Sequence, residues 1–199
     1  MTAGFRLLWL ATALVSAPMT GHAEWQATEE VRTYAITGNS GASLYASIGE
    51  RGPQVGGKTR VIAYTTFKLT WTRKYEPQGN ACVLVLAKPK LTITYMLPKP
   101  STPLSGPVKA SWQTFIDGVQ KHEKVHGETI KDMVRSIVTT SVGLSADDDP
   151  QCRKIRVDLQ KRLGELSAKQ RQLGRDFDGV EMGEGGNVHH LILKLVNGP

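Results

Sequence analysis

The sequence has few cysteines, few histidines and no long apolar segment beyond its N-terminus. Of 199 residues only two are cysteine and five are histidine. No repeats appear, and the hydrophobic content of 40% gives no sign of collagen, coiled coil or extensive disorder. A membrane-spanning helix needs about 20 apolar residues, and no such run follows the N-terminal segment. The chain is therefore expected to form one soluble globular domain.

Residues 1–23, MTAGFRLLWLATALVSAPMTGHA, have the pattern of a signal peptide. Arg6 lies in a short basic segment, an apolar run follows, and the small-residue end Gly-His-Ala finishes at Ala23. The apolar run is too short to span a bilayer, although an uncleaved membrane anchor is the alternative. We therefore expect cleavage after Ala23 and a periplasmic or secreted domain over 24–199.

The two cysteines, Cys82 and Cys152, are separated by 70 positions and neither belongs to a CxxC pair. In an oxidising compartment such a pair most often forms a disulfide, and the spacing argues against a metal site. The sequence therefore predicts a Cys82–Cys152 bridge.

The formal net charge is +7, and much of the basic excess lies within 153–175. A basic excess can attract nucleic acid or an anionic envelope surface. Because no aromatic residues are interleaved with these charges, a solvated helix face is favoured and no nucleic acid partner is expected. Contact with an anionic envelope surface stays open.

Residues 24–97 are predicted to be mainly β structure, interrupted by a short helix that ends near Gly49. Alternating or apolar segments predict strands at 30–38, 59–75 and 81–98, with a turn near Lys88-Pro89 that divides the last segment into two. These strands are expected to form a small antiparallel sheet.

The second half of the chain has helical periodicity. Residues 98–110 form a proline-rich connection, and 111–177 carry two apolar stripes with spacings of three and four. They predict one helix from Ser111 to about Thr140 and another from about Cys152 to Phe177, packed antiparallel, before a C-terminal segment at 178–199. The predicted class is α+β.

The first predicted helix carries VQKHEKVHGETIKDM, residues 119–133. His122 and His126 are one helical turn apart and fill a gap in the apolar stripe, so both imidazoles can reach one Zn²⁺. Glu123 would stand beside the ion as general base, since zinc acidifies a bound water. The alternative is a pair of hydrogen-bonded core histidines.

The third ligand is less clearly marked. If the second helix runs antiparallel to the first, the chain after Phe177 returns near the histidines. Asp178, Glu181, His189 and His190 then become candidates. The histidine pair lacks helical ligand spacing and can equally be solvated, and Asp178 can equally orient a histidine N–H.

Several segments together resemble a family of bacterial envelope proteins described as predicted secreted zinc-dependent proteases. The segments are YAITGNSGASLYASIGERGP, TTFKLTWTRKY, NACVLVLAKPKLTITYMLPKP and SWQTFIDGVQKHEKVHGE, which cover most of the mature chain. Cys82, Cys152 and the HExxH helix stand where that family has them. The family often ends its second helix with Tyr-Asp followed by His-Gly. Here Phe177-Asp178 matches the pair but no histidine follows, so Glu181 is expected as third ligand, with Asp178 next.

The resemblance and the motif together imply an exported zincin-like metallopeptidase that cleaves peptides or proteins. His122 and His126 would bind Zn²⁺ and Glu123 would move the proton. Zincins align substrate along an edge strand, and the strand at Leu91–Met96 is a candidate for that role, although the sequence does not show its position in the sheet. The alternative is a non-catalytic envelope protein whose structural or degenerate zinc site belongs to a binding module.

Overall fold

The computed structural model describes residues 25–57 and 59–198, and the predicted signal peptide lies outside them. The described chain has the α+β architecture expected from the sequence. Its elements in order are β1 (Thr28–Ile36), α1 (Gly41–Arg51), β2 (Gln54–Val55), β3 (Thr59–Arg60), β4 (Tyr64–Gln78), β5 (Ala81–Pro100), α2 (Gly106–Ser141), β6 (Ser145–Ala146), α3 (Lys154–Met182) and α4 (Asn187–Val196).

The main sheet is mixed, whereas a wholly antiparallel sheet was predicted. Strands β4 and β5 form a long antiparallel hairpin, but β1 lies parallel to β5, from Thr28 opposite Thr92 to Ile36 opposite Pro100. The strand order is β1-β5-β4, and β6 pairs with the start of β5. A tight turn enforces antiparallel pairing, and no such turn joins β1 to β5, because α1 and three strands intervene.

Strand β5 continues through Pro89, so the turn predicted near Lys88-Pro89 is wrong. Pro89 pairs with Trp71 on β4, while on the other side of β5 the pairing with β1 begins only at Thr92. A proline is tolerated at such a one-sided position because its missing N–H breaks no ladder bond. The segment Leu91–Met96 lies in β5, which is central in the sheet, so this candidate for a substrate-aligning edge strand is excluded.

The proline-rich connection is shorter than the predicted 98–110. Strand β5 runs to Pro100, and beyond Met96 it pairs only with β1, which again leaves a free side for prolines. Helix α2 begins at Gly106 after the N-cap Ser105, with a proline in its first turn. The fixed φ of proline suits that position, so the prolines here start a helix as well as end a strand.

Helices α2 and α3 pack antiparallel, as predicted. Leu163 and Leu166 of α3 pack with the C-terminal half of α2, while Phe177 reaches His122 near its middle. Helix α3 extends to Met182 instead of ending near Phe177. The unpredicted helix α4 covers the N-terminal half of α2 and α1, where Leu195 is fully buried.

Gly127 sets how closely α2 lies on the sheet. A Cβ at this position would stand 2.1 Å from the hydroxyl oxygen of Tyr95 on β5. Tyr95 is itself 1% exposed, and its hydroxyl donates to Glu29 of β1 at 3.2 Å. The missing side chain therefore lets the segment that carries both histidines sit directly on the central strand.

A disulfide joins Cys82 to Cys152, with their Cα atoms 5.3 Å apart, and confirms the predicted pairing. It ties the start of β5 to the turn before α3 and packs with Leu84, Ile155 and Leu159. Within 25–57 and 59–198, no helix combines the length and apolarity needed to cross a membrane.

Reduction of this bridge should lower the free energy of unfolding by about 4 kcal/mol, because the bridge closes a long loop in the unfolded chain. Chemical denaturation of oxidised and reduced protein measures the difference. A Cys82→Ser/Cys152→Ser variant serves as the thiol-free control. Protein isolated from an oxidising compartment should contain no free thiol after denaturation, and two reactive thiols would contradict the assignment.

Candidate metal centre

His122 and His126 lie on the face of α2 that meets α3. Their Nε2 atoms are 3.2 Å apart, and the two rings are nearly perpendicular at 78°. His122 is 4% exposed, while Lys121 and Lys124 point outward, as the interrupted apolar stripe predicted. One turn of α2 therefore brings two ring nitrogens to a single point.

Asp178 of α3 supplies a third donor at the same point. Its Oδ1 is 2.9 Å from His126 Nε2 and 3.2 Å from His122 Nε2. Among the described residues, these three side chains form the one group compact enough to hold a metal ion. Tetrahedral zinc with bonds of 2.0–2.1 Å separates its ligands by about 3.3 Å, so this triangle fits that ion.

Glu181, the first-ranked candidate from the sequence, lies outside the triangle. Its Oε2 is 3.8 Å from Nδ1 of His122, on the far side of the ring, and its Oε1 accepts a 2.6 Å hydrogen bond from Asn187. That Nδ1 is buried and has no hydrogen-bond partner among the described residues. Glu181 therefore faces the ring position from which a carboxylate orients a metal-binding histidine.

The remaining histidine candidates lie elsewhere. His189 and His190 are at the start of α4, where His189 Nδ1 accepts a 3.1 Å hydrogen bond from the backbone N–H of Gly185. Their rings stack on each other with centroids 6.0 Å apart. Neither belongs to the group formed with Asp178.

Phe177 holds the histidine pair from the α3 side. Its ring stacks on His122, with centroids 4.8 Å apart and planes 18° apart, and meets the edge of His126 at 5.5 Å. From the sequence, Phe177 was placed in an apolar stripe and in the Phe177-Asp178 pair, but no contact with the histidines was predicted for it. Its position directly before a candidate ligand was the available signal for this contact.

Glu123 is 4% exposed and is held by Thr65 of β4. The hydroxyl of Thr65 donates to Glu123 Oε2 at 2.5 Å and lies 3.2 Å from the backbone oxygen of Glu123. Burial raises the pKa of Glu123, although the Thr65 hydrogen bond and both histidines oppose it. The role of Thr65 was not predicted from the sequence, because β4 and α2 are far apart in the chain and meet only in the folded structure.

His126 and Asp178 affect each other's ionisation. Burial opposes ionisation of Asp178, but hydrogen bonds from His122 and His126 hold its pKa below the ordinary value. Burial likewise disfavours the charged form of His126, but the hydrogen bond with Asp178 and the negative charges of Asp178 and Glu123 together outweigh it, so the pKa of His126 is raised. Asp178 is therefore ionised, as a metal-binding carboxylate must be.

The triangle opens into a cleft of 470 Å³ between β4 and α3. The wall formed by β4 and the residues before it is largely apolar, and the wall formed by α3 is polar and basic. The lining comprises Val55, Val61, Ala63, Tyr64, Thr65 and Phe67, then His122, Glu123, His126 and Ile130, and finally Gln170, Arg171, Gly174, Arg175, Asp178 and Met182. A peptide-sized group can therefore approach the three donors and Glu123 from solvent.

The sequence matches a known protein family over most of its length. A family model described as "Bacterial protein of unknown function (DUF922)" matches residues 31–186. The match begins within β1, includes every element through α3 and ends at the turn before α4. No curated protein and no solved structure gives a significant match. On this extent of agreement, the chain belongs to the bacterial DUF922 family.

Proposed function

We propose that this protein is an exported zinc-dependent peptidase. The observation that carries the proposal is the triangle of His122, His126 and Asp178, whose three donors lie 2.9–3.2 Å apart at the base of an open cleft. Catalytic zinc sites use three protein ligands and leave one position for water or substrate. Three convergent donors beside a buried carboxylate match that requirement.

His122, His126 and Asp178 would hold the ion through Nε2, Nε2 and Oδ1. Bound zinc would supply a Lewis acid that polarises the peptide carbonyl and acidifies water. Glu181 faces the unpartnered Nδ1 of His122 and would fix the orientation of that ring. Phe177, stacked on the same ring, restricts its movement from the other side.

Glu123 would carry the proton. Its carboxylate takes a proton from the attacking water as the new C–O bond forms, and donates that proton to the amide nitrogen as the C–N bond breaks. The products are a carboxylic acid and an amine. The Thr65 hydroxyl holds Oε2, which leaves Oε1 of Glu123 available for the proton.

The substrate would lie along β4. Among the described strands β4 pairs only with β5, so its other edge presents backbone donors and acceptors. Tyr64, Thr65 and Phe67 of β4 border the cleft. An extended peptide can add to such an edge as a further strand. In this proposal β4 aligns the substrate, a role for which the sequence had suggested Leu91–Met96.

Export fits this chemistry. The signal-peptide pattern at 1–23 and the Cys82–Cys152 disulfide are both typical of proteins that work outside the cytoplasm. We therefore place the activity in the periplasm or the medium, with peptides or proteins as substrates.

Metal content separates the two candidate carboxylates. The purified wild-type protein should retain one zinc per chain after dialysis, whereas His126→Ala and Asp178→Asn should lose it, because each removes a donor. Glu181→Gln should keep the zinc and bind it about tenfold more weakly, since it orients a ligand. Elemental analysis and zinc titration measure these outcomes. Zinc retained by Asp178→Asn but lost by Glu181→Gln would transfer the ligand role to Glu181.

Glu123→Gln should retain zinc yet lower peptide hydrolysis at least about 100-fold, because an amide cannot accept the proton. Mass spectrometry of a peptide mixture incubated with each protein measures the loss. Glu165→Gln, an exposed change on α3, is the matched control and should cleave normally. Equal turnover by Glu123→Gln and wild type would overturn the catalytic role. A zinc-loaded wild type that cleaves nothing would favour the binding-module alternative.

A further inference from the structure

One face of α3 lines the cleft with two arginines beside the candidate ligand. Arg171 and Arg175 are one turn apart, and Asp178 follows Arg175 by three residues, so all three lie on one stripe of the helix. Both arginines are exposed to solvent. The wall next to the three donors therefore carries two positive charges.

These charges lack acidic partners among the described residues. Arg171 donates to the hydroxyl of Ser167 at 2.7 Å, and Arg175 donates to the side-chain oxygen of Gln172. By contrast, Arg162 on this same helix pairs with the carboxylate of Asp158 at 3.0 Å. The two cleft arginines thus keep guanidinium donors available for a carboxylate, which they can bind in a bidentate manner.

The opposite wall has a different character. Val55, Tyr64 and Phe67 are 36–38% exposed although they are apolar, and all three line the cleft. Among the described residues that line the cleft, the only carboxylates are Glu123 and Asp178, which belong to the site itself. An acidic group on a bound peptide would therefore meet attraction on the α3 side and no repulsion beyond the site.

The spacing of Arg171 and Arg175 along α3 also matches the spacing of residues in an extended peptide. A helix rises about 1.5 Å per residue, so Arg175 and Arg171 stand about 4.5 and 10.5 Å along the axis from Asp178. An extended chain advances about 3.3 Å per residue. Along the axis of α3, the backbone positions of the two arginines therefore correspond to residues one to three places from a bond held at the donors, for a peptide that runs along this helix.

We propose that Arg171 and Arg175 select peptides with an aspartate or glutamate within three residues of the bond to be cleaved. The proposal rests on the proposed function for the location of that bond. It names the substrate class as acidic peptides, and it makes the arginines specificity-determining residues with no part in the chemical step.

Binding of short peptide hydroxamates tests this selection independently of hydrolysis. The hydroxamate anchors on zinc at either the C-terminal or the N-terminal end of the peptide, so two series cover both sides of the bond. Within each series, glutamate and glutamine are exchanged at each of three positions, and calorimetry with zinc-loaded Glu123→Gln protein measures the affinities. In at least one series glutamate should bind about fivefold more tightly than glutamine.

Arg171→Gln/Arg175→Gln, introduced into the same protein, should bind both peptides of that pair equally. Lys169→Gln, which removes one exposed charge from the same helix outside the cleft, should keep the preference. The preference should also shrink in high salt, because exposed charges are screened. A preference retained without the arginines, an equal loss for both peptides, or no preference in either series would overturn the selection.

The outcomes also separate this proposal from the proposed function. If the glutamate preference is present but wild type hydrolyses no peptide, the catalytic role fails and the selection holds. If wild type hydrolyses acidic and neutral peptides equally, the selection fails and the catalytic role holds. If no hydroxamate binds the zinc-loaded protein and wild type hydrolyses no peptide, both fail.

Discussion

The contact between α2 and α3 around His122, His126 and Asp178 is the feature on which the rest of the site depends. Two imidazoles and a carboxylate meet with donor atoms 2.9–3.2 Å apart. Such a meeting requires α3 to run back along α2 in one register. The disulfide fixes the start of α3 against β5, and Phe177 fixes its far end on His122. The fold therefore holds the candidate ligands in place from both ends of one helix.

Local patterns predicted much of this architecture. The 3.6-residue period predicted α2 and α3, and the alternating residues of β4 predicted a strand. The failures involve prolines and pairing partners. Pro89 reads as a turn from sequence but sits where β5 has a neighbour on one side only. The parallel pairing of β1 is likewise a long-range choice that leaves no local signal, because no short turn joins the two strands.

The site was predictable where it lies on a single helix. His122, Glu123 and His126 follow from the spacing of one motif, and their burial follows from the apolar stripe. Asp178 and Glu181 lie on the other helix. The sequence ranked Glu181 first, whereas the structure brings Asp178 together with the two histidine Nε2 atoms. Because α3 continues past Phe177 as a helix, its phase turns Asp178 toward Nε2 of the histidines and Glu181 toward Nδ1 of His122. Thr65 was not predicted either, because its hydrogen bond to Glu123 joins β4 to α2, which are far apart in the sequence.

Anomalous diffraction at the zinc edge, from crystals of protein loaded with one equivalent of zinc, would locate the ion directly. We expect a single strong peak about 2.0–2.1 Å from Nε2 of both histidines and a similar distance from Oδ1 of Asp178. One side of that peak should face the cleft beside Glu123 without a protein ligand. A peak elsewhere on the chain, or one closed by four protein ligands, would contradict this expectation.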